Sequence, residues 1–335
     1  MRIAITGGSG SLGSALIDEF KSTASVVTFT RDEAKRRQMQ QKHPEIKVYA
    51  GDVRDRERLE DIFSGCEVVV HAAARKVVSG HWDEPREMLK TNIEGTVNVL
   101  AAARKAGVKR VLFISSDKAV HPENAYGVSK AMGEHLVIAE NARSHPKGTG
   151  CSVLRYGNVI GSRGSVIPVW CGFVRRGLPV PITDPKMTRF WVPMHEAVSF
   201  VQQAVNIMQG GETFVPILRA ASMETVLLMF RDAVKEITGV RPESTYVGIR
   251  PGGEKRYEEL LAADEAERIF AWPGQTPLMV VLPNDDQDSW NNAFPEPYIT
   301  CPYTHALPYK SDTWLLQHSH ETLYAHIKAA VEAHL

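Results

Sequence analysis

Cysteine is scarce in this 335-residue chain: Cys66, Cys151, Cys171 and Cys301 are the four, and no two stand at a Cys-x-x-Cys spacing. That scatter argues against a disulfide framework, predicts no metal centre, and fits small thiols in a reducing cytoplasm. An excess of charge of either sign is also missing. Lys plus Arg and Asp plus Glu both number 39, so no global field draws the chain to nucleic acid or to an anionic membrane. An anionic ligand must therefore be held by a local arrangement of groups. There is no uninterrupted apolar run of about 18 residues, so no membrane span is expected. Met1 to Gly8 reads as a strand running into glycines, without the apolar stretch of a signal peptide. Internal repeats and low-complexity tracts are absent.

What is present is a rapid alternation of strand and helix. Arg2–Thr6, Val26–Thr30, Ile46–Ala50, Val68–Ala74, Arg110–Ser115 and Ser152–Tyr156 read as strands. Between them Leu12–Phe20, Arg31–Gln41, Arg56–Phe63, Glu84–Ala106 and Ala125–Ala142 carry helical patterns. The strands are apolar runs rather than alternating ones, so both sheet faces should be covered. That predicts an α/β fold, a Rossmann-type doubly wound parallel sheet. Beyond about residue 160 the alternation weakens. Glu196–Met208 and Met223–Ile237 read as helices, Thr213–Leu218 as one more strand, and His320–His334 as a terminal helix. The length suits about two domains. Residues 1–165, with about 192–218, predict the dinucleotide domain; 166–191 and 219–335 predict a smaller substrate-binding lobe. The Pro-, Asn- and aromatic-rich stretch from Trp272 to Lys310 predicts an irregular but ordered surface segment.

Gly7, Gly10 and Gly13 follow the first strand and open the first helix, and Gly8, Gly10 and Gly13 also satisfy G-x-G-x-x-G. Glycine permits the tight turn and lets backbone N–H groups approach a pyrophosphate, and the helix N-terminus adds partial positive charge. After the second strand comes Thr30-Arg31-Asp32, with Lys35 and Arg36 one turn on. Arg31 is placed to meet a ribose 2′-phosphate, which favours NADP; the alternative is NAD held by Asp32, with the basic residues a solvated helix face. Asp52, with Val53 after it, either accepts from an adenine amino group or caps the next helix.

Tyr126 and Lys130 are four apart, on one face of a predicted helix. A nearby ammonium favours the phenolate, which can then take a proton from a sugar or alcohol hydroxyl as hydride leaves the carbon. The preceding strand ends in Ser115-Ser116, and Asp117-Lys118 follows. Those two are either an acid and a base or a helix cap and a solvated charge.

These motifs resemble the extended short-chain dehydrogenase/reductases: the glycine pattern, Val70-His71-Ala72-Ala73-Ala74 and Tyr126-x-x-x-Lys130. Further segments resemble the UDP-N-acetylglucosamine 4,6-dehydratases (C5-inverting) of flagellin-glycan and capsule pathways. They are Gly51 to Asp55, Lys90 to Thr96, Ser116 to Ala119, Arg155 to Val159, Gly161 to Val166 and Ile182 to Trp191, and the similarity covers about residues 1–265. The resemblance implies a cycle. Tyr126 takes the C4 hydroxyl proton as the dinucleotide oxidises C4; Lys118 removes the C5 proton; Asp117 assists loss of the 6-hydroxyl as water. Hydride returns to C6, and the tightly bound cofactor ends as it began. It assigns cofactor contacts to Gly7, Ser9, Gly10, Ser11, Leu12, Gly13, Arg31, Asp32, Lys35, Asp52, Val53, Ala72, Ala73, Ala74, Asn92, Ser115, Tyr126, Lys130, Tyr156, Gly157, Asn158 and Val159. Substrate contacts fall to Lys76, Asp117, Lys118, Asn158, Val166, Thr188, Arg189, Arg250 and Glu254, with Arg163 read as a loop residue. It also implies a UDP-sugar as substrate and a homo-oligomer packed through the helices 84–106 and 125–142.

For Lys118 to be a base its pKa must be lowered, which Lys130, the cofactor's charge and partial burial would do. Asp117 must be raised to be an acid. Two rival functions share the scaffold: a nucleotide-sugar epimerase, which has no use for a C5 base, and a catalytically silent sensor of cofactor redox state. The sensor reading fits poorly, since both Tyr126 and Lys130 are kept. Arg75 departs from the family pattern, where an aliphatic residue is usual.

Overall fold

The structure is a computed structural model describing residues 1–76, 84–144, 147–250, 253–272, 278–282, 299–300, 308–314 and 320–335. The first strand, β1 (Arg2–Thr6), shows why the sheet forms. Ile3 and Ile5 enter one apolar cluster and Ala4 a second. Side chains alternate across a strand, so a continuous apolar run packs on both faces at once. The same division recurs in β4 (Val68–His71), with Val68 and Val70 on one side and Val69 on the other. In β5 (Arg110–Ile114), Leu112 and Ile114 oppose Val111 and Phe113.

Between β1 and β5 lie α1 (Ser11–Phe20), β2 (Ser25–Thr30), α2 (Glu33–Lys42), β3 (Lys47–Ala50) and α3 (Arg56–Phe63). After β4, α4 (Glu84–Met88), a π-helical turn Leu89–Glu94 and α5 (Gly95–Lys105) make the long helix expected from 84 to 106. Then come a 3-10 turn Asp117–Ala119, α6 (Ala125–Ser144), β6 (Gly150–Leu154), β7 (Asn158–Val159), α7 (Val166–Arg175), β8 (Val180–Ile182) and β9 (Thr188–Val192). Next are α8 (Met194–Ile207), β10 (Thr213–Pro216), β11 (Arg219–Ser222), α9 (Met223–Thr238), β12 (Ser244–Tyr246) and β13 (Glu259–Leu261). The chain continues with a 3-10 segment Ala263–Arg268, β14 (Ile269–Trp272), β15 (Leu278–Val281), β16 (Ile299–Thr300), β17 (Tyr309–Lys310) and α10 (His320–His334).

One large sheet runs in the order β16-β14-β15-β10-β6-β5-β4-β1-β2-β3. Pairings from β10 through β3 are parallel. The strand order reverses between β1 and β4, and ligands of such sheets bind in the crevice outside the strand ends at that reversal. One expectation is corrected here. Residues 269–272 and 278–281, assigned from sequence to the smaller lobe, extend the large sheet: β15 pairs antiparallel with β10, and β14 with β15. Leu278 to Val281 are all buried there. An uncovered β10 would leave a row of unpaired backbone groups, and β15 closes it. Most of the predicted surface segment 272–310 lies outside the described residues. The other described strands form a sheet β11-β9-β7 and the pairs β12-β8 and β13-β17. Trp170 of α7, Phe230 of α9 and Ile327 of α10 share a third apolar cluster.

Candidate active site

The turn after β1 needs glycine for reasons of space. Gly7 has φ +73°, and a side-chain carbon on it would lie 2.9 Å from the Ala73 backbone. On Gly13 it would meet the Gly7 carbonyl oxygen at 2.3 Å. The turn is thereby kept open to backbone approach, and no side chain caps Gly10 at the start of α1. The amides of the first helical turn lack intrahelical acceptors and are free for an anion, so these residues fit a dinucleotide pyrophosphate. Ala73 N–H donates to Thr6 Oγ1 at 3.0 Å, tying the loop after β4 to the end of β1. Below it His71 bridges Thr6 and Thr96 at 2.8 and 3.0 Å, and burial holds its imidazole down at about 3, helped by the Lys130 charge.

At the ends of β2 and β3 the polar residues are partly engaged with one another. Asp32 caps α2, accepting from the Lys35 amide at 3.0 Å, and Lys35 Nζ lies 3.8 Å from its carboxylate. Arg31 is exposed and reaches Asp52 Oδ2 at 3.4 Å. Asp52 takes Arg54 in a two-pronged contact at 3.1 and 2.8 Å. The cap of α3 is Asp55, not Asp52 as one reading held; its carboxylate accepts from the Arg58 amide, three residues on. Val53 is buried.

The π-helical turn brings Asn92 inward, a common use of an extra residue in a helix. Its amide donates to Ser129 Oγ at 2.8 Å and to the Arg75 carbonyl at 2.9 Å, and its oxygen accepts from the Arg75 amide. The loop that carries Ala72 to Lys76 is thus pinned to α6. The departure at Arg75 has a local partner, since its guanidinium grips both oxygens of Glu84 at 2.7 and 2.9 Å.

Tyr126 and Lys130 sit in the first turns of α6. Lys130 is buried, donates to the Ile114 carbonyl at 2.5 Å and stands 4.1 Å over the Phe113 ring. Burial pushes its ammonium down to about 7, against the pull of Glu134. Burial pushes the Tyr126 phenol up; the charge that opposes this is that of Lys118, while Asp117 adds to the rise. Ser116 eases the Tyr126 phenol down, and its Oγ donates to Asp117 Oδ1 at 2.7 Å. Lys118 Nζ donates to that same oxygen at 2.9 Å and to Asn158 Oδ1 at 3.1 Å. Glu258 Oε1 lies 3.5 Å from Lys118. Burial alone would lower the Lys118 pKa, but Asp117 and Glu258 outweigh it and the pKa is raised. The sequence-based expectation of a lowered Lys118 is corrected: two buried carboxylates hold it as an ammonium.

The remaining expected residues divide. Tyr156 is buried, and its carbonyl accepts from the Asp117 amide at 3.0 Å. Burial and the neighbouring Tyr126 raise its phenol. Ser115 is buried, and its hydroxyl donates to Glu134 at 2.5 Å. Val166 opens α7. Thr188 hydrogen-bonds Ser311 at 2.8 Å. Buried Arg189 donates to the carbonyls of Thr188 and Lys255 at 2.7 and 2.8 Å and stands 3.8 Å from Glu258. Arg250 pairs with Glu254 at 2.7 Å. Lys76 has its pKa lowered by burial and by the charges of Arg163 and Lys118, which marks a cluster of three cations.

Three features escaped the sequence. Arg163 is no bystander: its amide donates to Ser11 Oγ at 2.9 Å and its guanidinium to the Ser9 carbonyl, so the loop before α7 lies on the glycine turn. Arg155 is buried between Glu134 and Glu265, at 2.7 and 2.9 Å. Glu258 is buried beside Lys118. None of these has a spacing rule that would have found it. Among the described residues one group, His195, Glu196 and His326, brings metal-ligand atoms within 4.8 Å of one another; Arg219 engages both Glu196 oxygens at 2.8 and 2.9 Å.

Fold and site together are those of the extended short-chain dehydrogenase/reductases, and the chain belongs to the polysaccharide biosynthesis protein family, whose pattern matches residues 3–274. Within it the chain is 36% identical over 296 residues to a UDP-N-acetylglucosamine 4,6-dehydratase (inverting) of Campylobacter jejuni, covering 86% of this chain and 85% of the relative. It is 38% identical over 271 residues to a UDP-glucose 4-epimerase of Rickettsia typhi, covering 78% of each. The solved structure of Pen from Bacillus thuringiensis superimposes with a TM-score of 0.85 at 28% identity, over 98% of this chain and 97% of that one.

Proposed function

We propose that this protein is an NADP-dependent 4,6-dehydratase that converts UDP-N-acetylglucosamine to a UDP-4-keto-6-deoxy-hexosamine. The observation that carries the reading is the buried pair Asp117 and Lys118, 2.9 Å apart and close enough to Tyr126 for both charges to act on its phenol. Oxidation at C4 needs only the phenol. An acid and an amine beside it have work to do only if C5 loses a proton and C6 its hydroxyl. Asp117 Oδ2 has no hydrogen-bond partner among the described residues, which suits a group aimed at a substrate.

The chain's own groups then divide the labour. Gly7, Gly10 and Gly13 hold the cofactor's pyrophosphate with the amides of Ser11 and Leu12, and the exposed Arg31 meets a 2′-phosphate by leaving its 3.4 Å contact with Asp52. When bound, the nicotinamide supplies a hydride acceptor for C4 and later a hydride donor for C6. Tyr126 takes the C4 hydroxyl proton, Lys118 the C5 proton, and Asp117 protonates the departing 6-hydroxyl. Lys76, Arg163 and Arg189 offer cations for the substrate's diphosphate. The lobe of residues 166–191 and 219–261 covers the sugar. Exposed Leu89, Val97, Val128 and Met132 lie on the helical rod 84–105 and on α6, which supports a homo-oligomer built on those helices. Buried free Cys66, Cys151 and Cys171 suit the cytoplasm.

The second reading, a 4-epimerase, draws on the likeness to the Rickettsia relative. Incubation of the holoenzyme with UDP-N-acetylglucosamine separates the two. The dehydratase gives a product lighter by one water with a 4-ketone in its NMR spectrum; a product of unchanged mass means epimerisation.

A further inference from the structure

Glu258 has no part in the cycle set out above, yet it is among the most deeply buried charged groups of the site. Its carboxylate is packed against cations from three directions. Lys118 of the 3-10 turn lies 3.5 Å from Oε1, Arg189 of β9 lies 3.8 Å from the same oxygen, and Lys255 lies 3.8 Å from Oε2. Burial pushes the Glu258 carboxyl up, and the Asp117 charge adds to the rise against the pull of Lys118, Arg189 and Lys255. Among the described residues Oε2 has no hydrogen-bond partner. A buried carboxylate oxygen without a partner is costly and calls for an explanation.

Counting protons supplies one. Lys118 pairs with Asp117 at 2.9 Å as an ammonium, its pKa raised by that contact and by Glu258, and burial holds Tyr126 as a phenol. The cycle needs Tyr126 as a phenolate, Lys118 as a neutral amine and Asp117 as an acid. Two protons must therefore leave the two bases, and Asp117 can seat only one of them. Asp117 and Ser116 both act on the Tyr126 phenol, so Asp117 is the seat for the phenol's proton. The ammonium proton needs another, and Glu258 is the other carboxylate beside Lys118.

We propose, resting on the dehydratase reading, that Glu258 is a positioning residue acting through Lys118: it takes the ammonium proton before C5 is deprotonated and returns it after C5 is reprotonated. The balance closes. The Lys118 N–H bond breaks and a Glu258 O–H bond forms, which leaves the amine lone pair. That lone pair takes the C5 proton of the 4-ketone, while the C5–H electrons form the C5–C6 double bond. The C6–O bond breaks, and its electron pair takes the Asp117 proton to give water. Once C6 has been reduced, Lys118 gives a proton back to C5 and recovers one from Glu258. Tyr126 regains its proton from the C4 hydroxyl, so all four groups finish as they started.

The test is single-turnover kinetics of the holoenzyme with UDP-N-acetylglucosamine, following reduced nicotinamide by absorbance and water loss by mass. In Glu258→Gln the reduced nicotinamide should form about as fast as in the wild type, while elimination slows by roughly 10²-fold, the worth of a general base. Elimination in that variant should also rise with pH, because the Lys118 proton must now leave to solvent, whereas the wild type stays flat over the same range. Glu258→Asp should recover part of the rate. Wild-type elimination in Glu258→Gln overturns the proposal, as does an equal loss of both steps with an unchanged pH profile. If Glu258→Gln does not fold, Glu258→Asp decides: slowed elimination with intact oxidation supports the proposal, and wild-type rates in both steps overturn it. A wild-type product of unchanged mass is a different failure, that of the dehydratase reading itself.

Discussion

At the scale of single residues the site is a set of titratable groups whose ordinary behaviour burial has changed. Tyr126 is pushed up by desolvation and meets that with the nearby charge of Lys118, so its phenol becomes a base only when its proton has somewhere to go. Replacing Tyr126 by Phe should cut turnover by roughly 10²–10⁴-fold and leave cofactor binding intact, as measured by turnover and by titration of the dinucleotide. Unchanged turnover would remove the phenol from the chemistry. His71 offers a test on stability instead. Its folded pKa of about 3 lies below its ordinary 6.5, so between those values the unfolded chain binds a proton that the folded one refuses. Stability from this group is complete above pH 6.5 and is lost as the pH falls toward 3. Denaturant midpoints measured down this range should fall less steeply in His71→Gln than in the wild type; parallel slopes would contradict the assignment.

At the scale of elements, the parallel strands and their helices were legible because buried strands leave continuous apolar runs and helices leave a 3.6-residue period. Val68 to Val70, buried on both faces, is such a run. Of the strands that escaped, β7, β8 and β11 to β17 have two to four residues, too few for a period to be seen, and the five-residue β9 opens on the polar Thr188 and Arg189, which break its apolar run although both are buried. The π-helical turn at Leu89–Glu94 left no mark either, since one extra residue per turn is set by the pull of Asn92 on Ser129 and Arg75. The glycine turn was readable, because no other residue tolerates its geometry. Tyr126, Lys130, Asp117 and Lys118 were readable as residues, but the charge state of Lys118 was not. It is set by Glu258, which lies 140 positions along the chain, and only folding brings them together. For the turn, Gly13→Ala would force a carbon to 2.3 Å from the Gly7 oxygen. Dinucleotide affinity should fall by at least about tenfold, or 1.4 kcal/mol, in a binding titration. Unaltered affinity would mean that the pyrophosphate sits elsewhere.

At the scale of the whole molecule, the large sheet and the segment around β13 are joined by buried charge. Arg155 follows β6, Glu134 lies on α6, and Glu265 belongs to the 3-10 segment after β13; the Arg155 guanidinium also donates to the Leu260 carbonyl at 3.1 Å. Removing one member of such a group strands the others, so Arg155→Ala should cost about 3–5 kcal/mol in a denaturant titration. A cost near zero would show that the two hold together without it. The exposed apolar side chains Val128 and Met132 make a second prediction at this scale. Met132→Lys should shift the mass measured by light scattering from oligomer to monomer, and an unchanged mass would place the interface elsewhere.

The whole account depends on hydrogen leaving C4 and arriving at C6 of one sugar while Lys118 and Asp117 act between the two events. UDP-N-acetylglucosamine carrying deuterium at C4 tests this directly, with the product read by NMR. The account predicts deuterium in the new methyl group at C6, in a product that has lost water. Deuterium found back at C4, in a sugar that keeps its 6-hydroxyl, would contradict it.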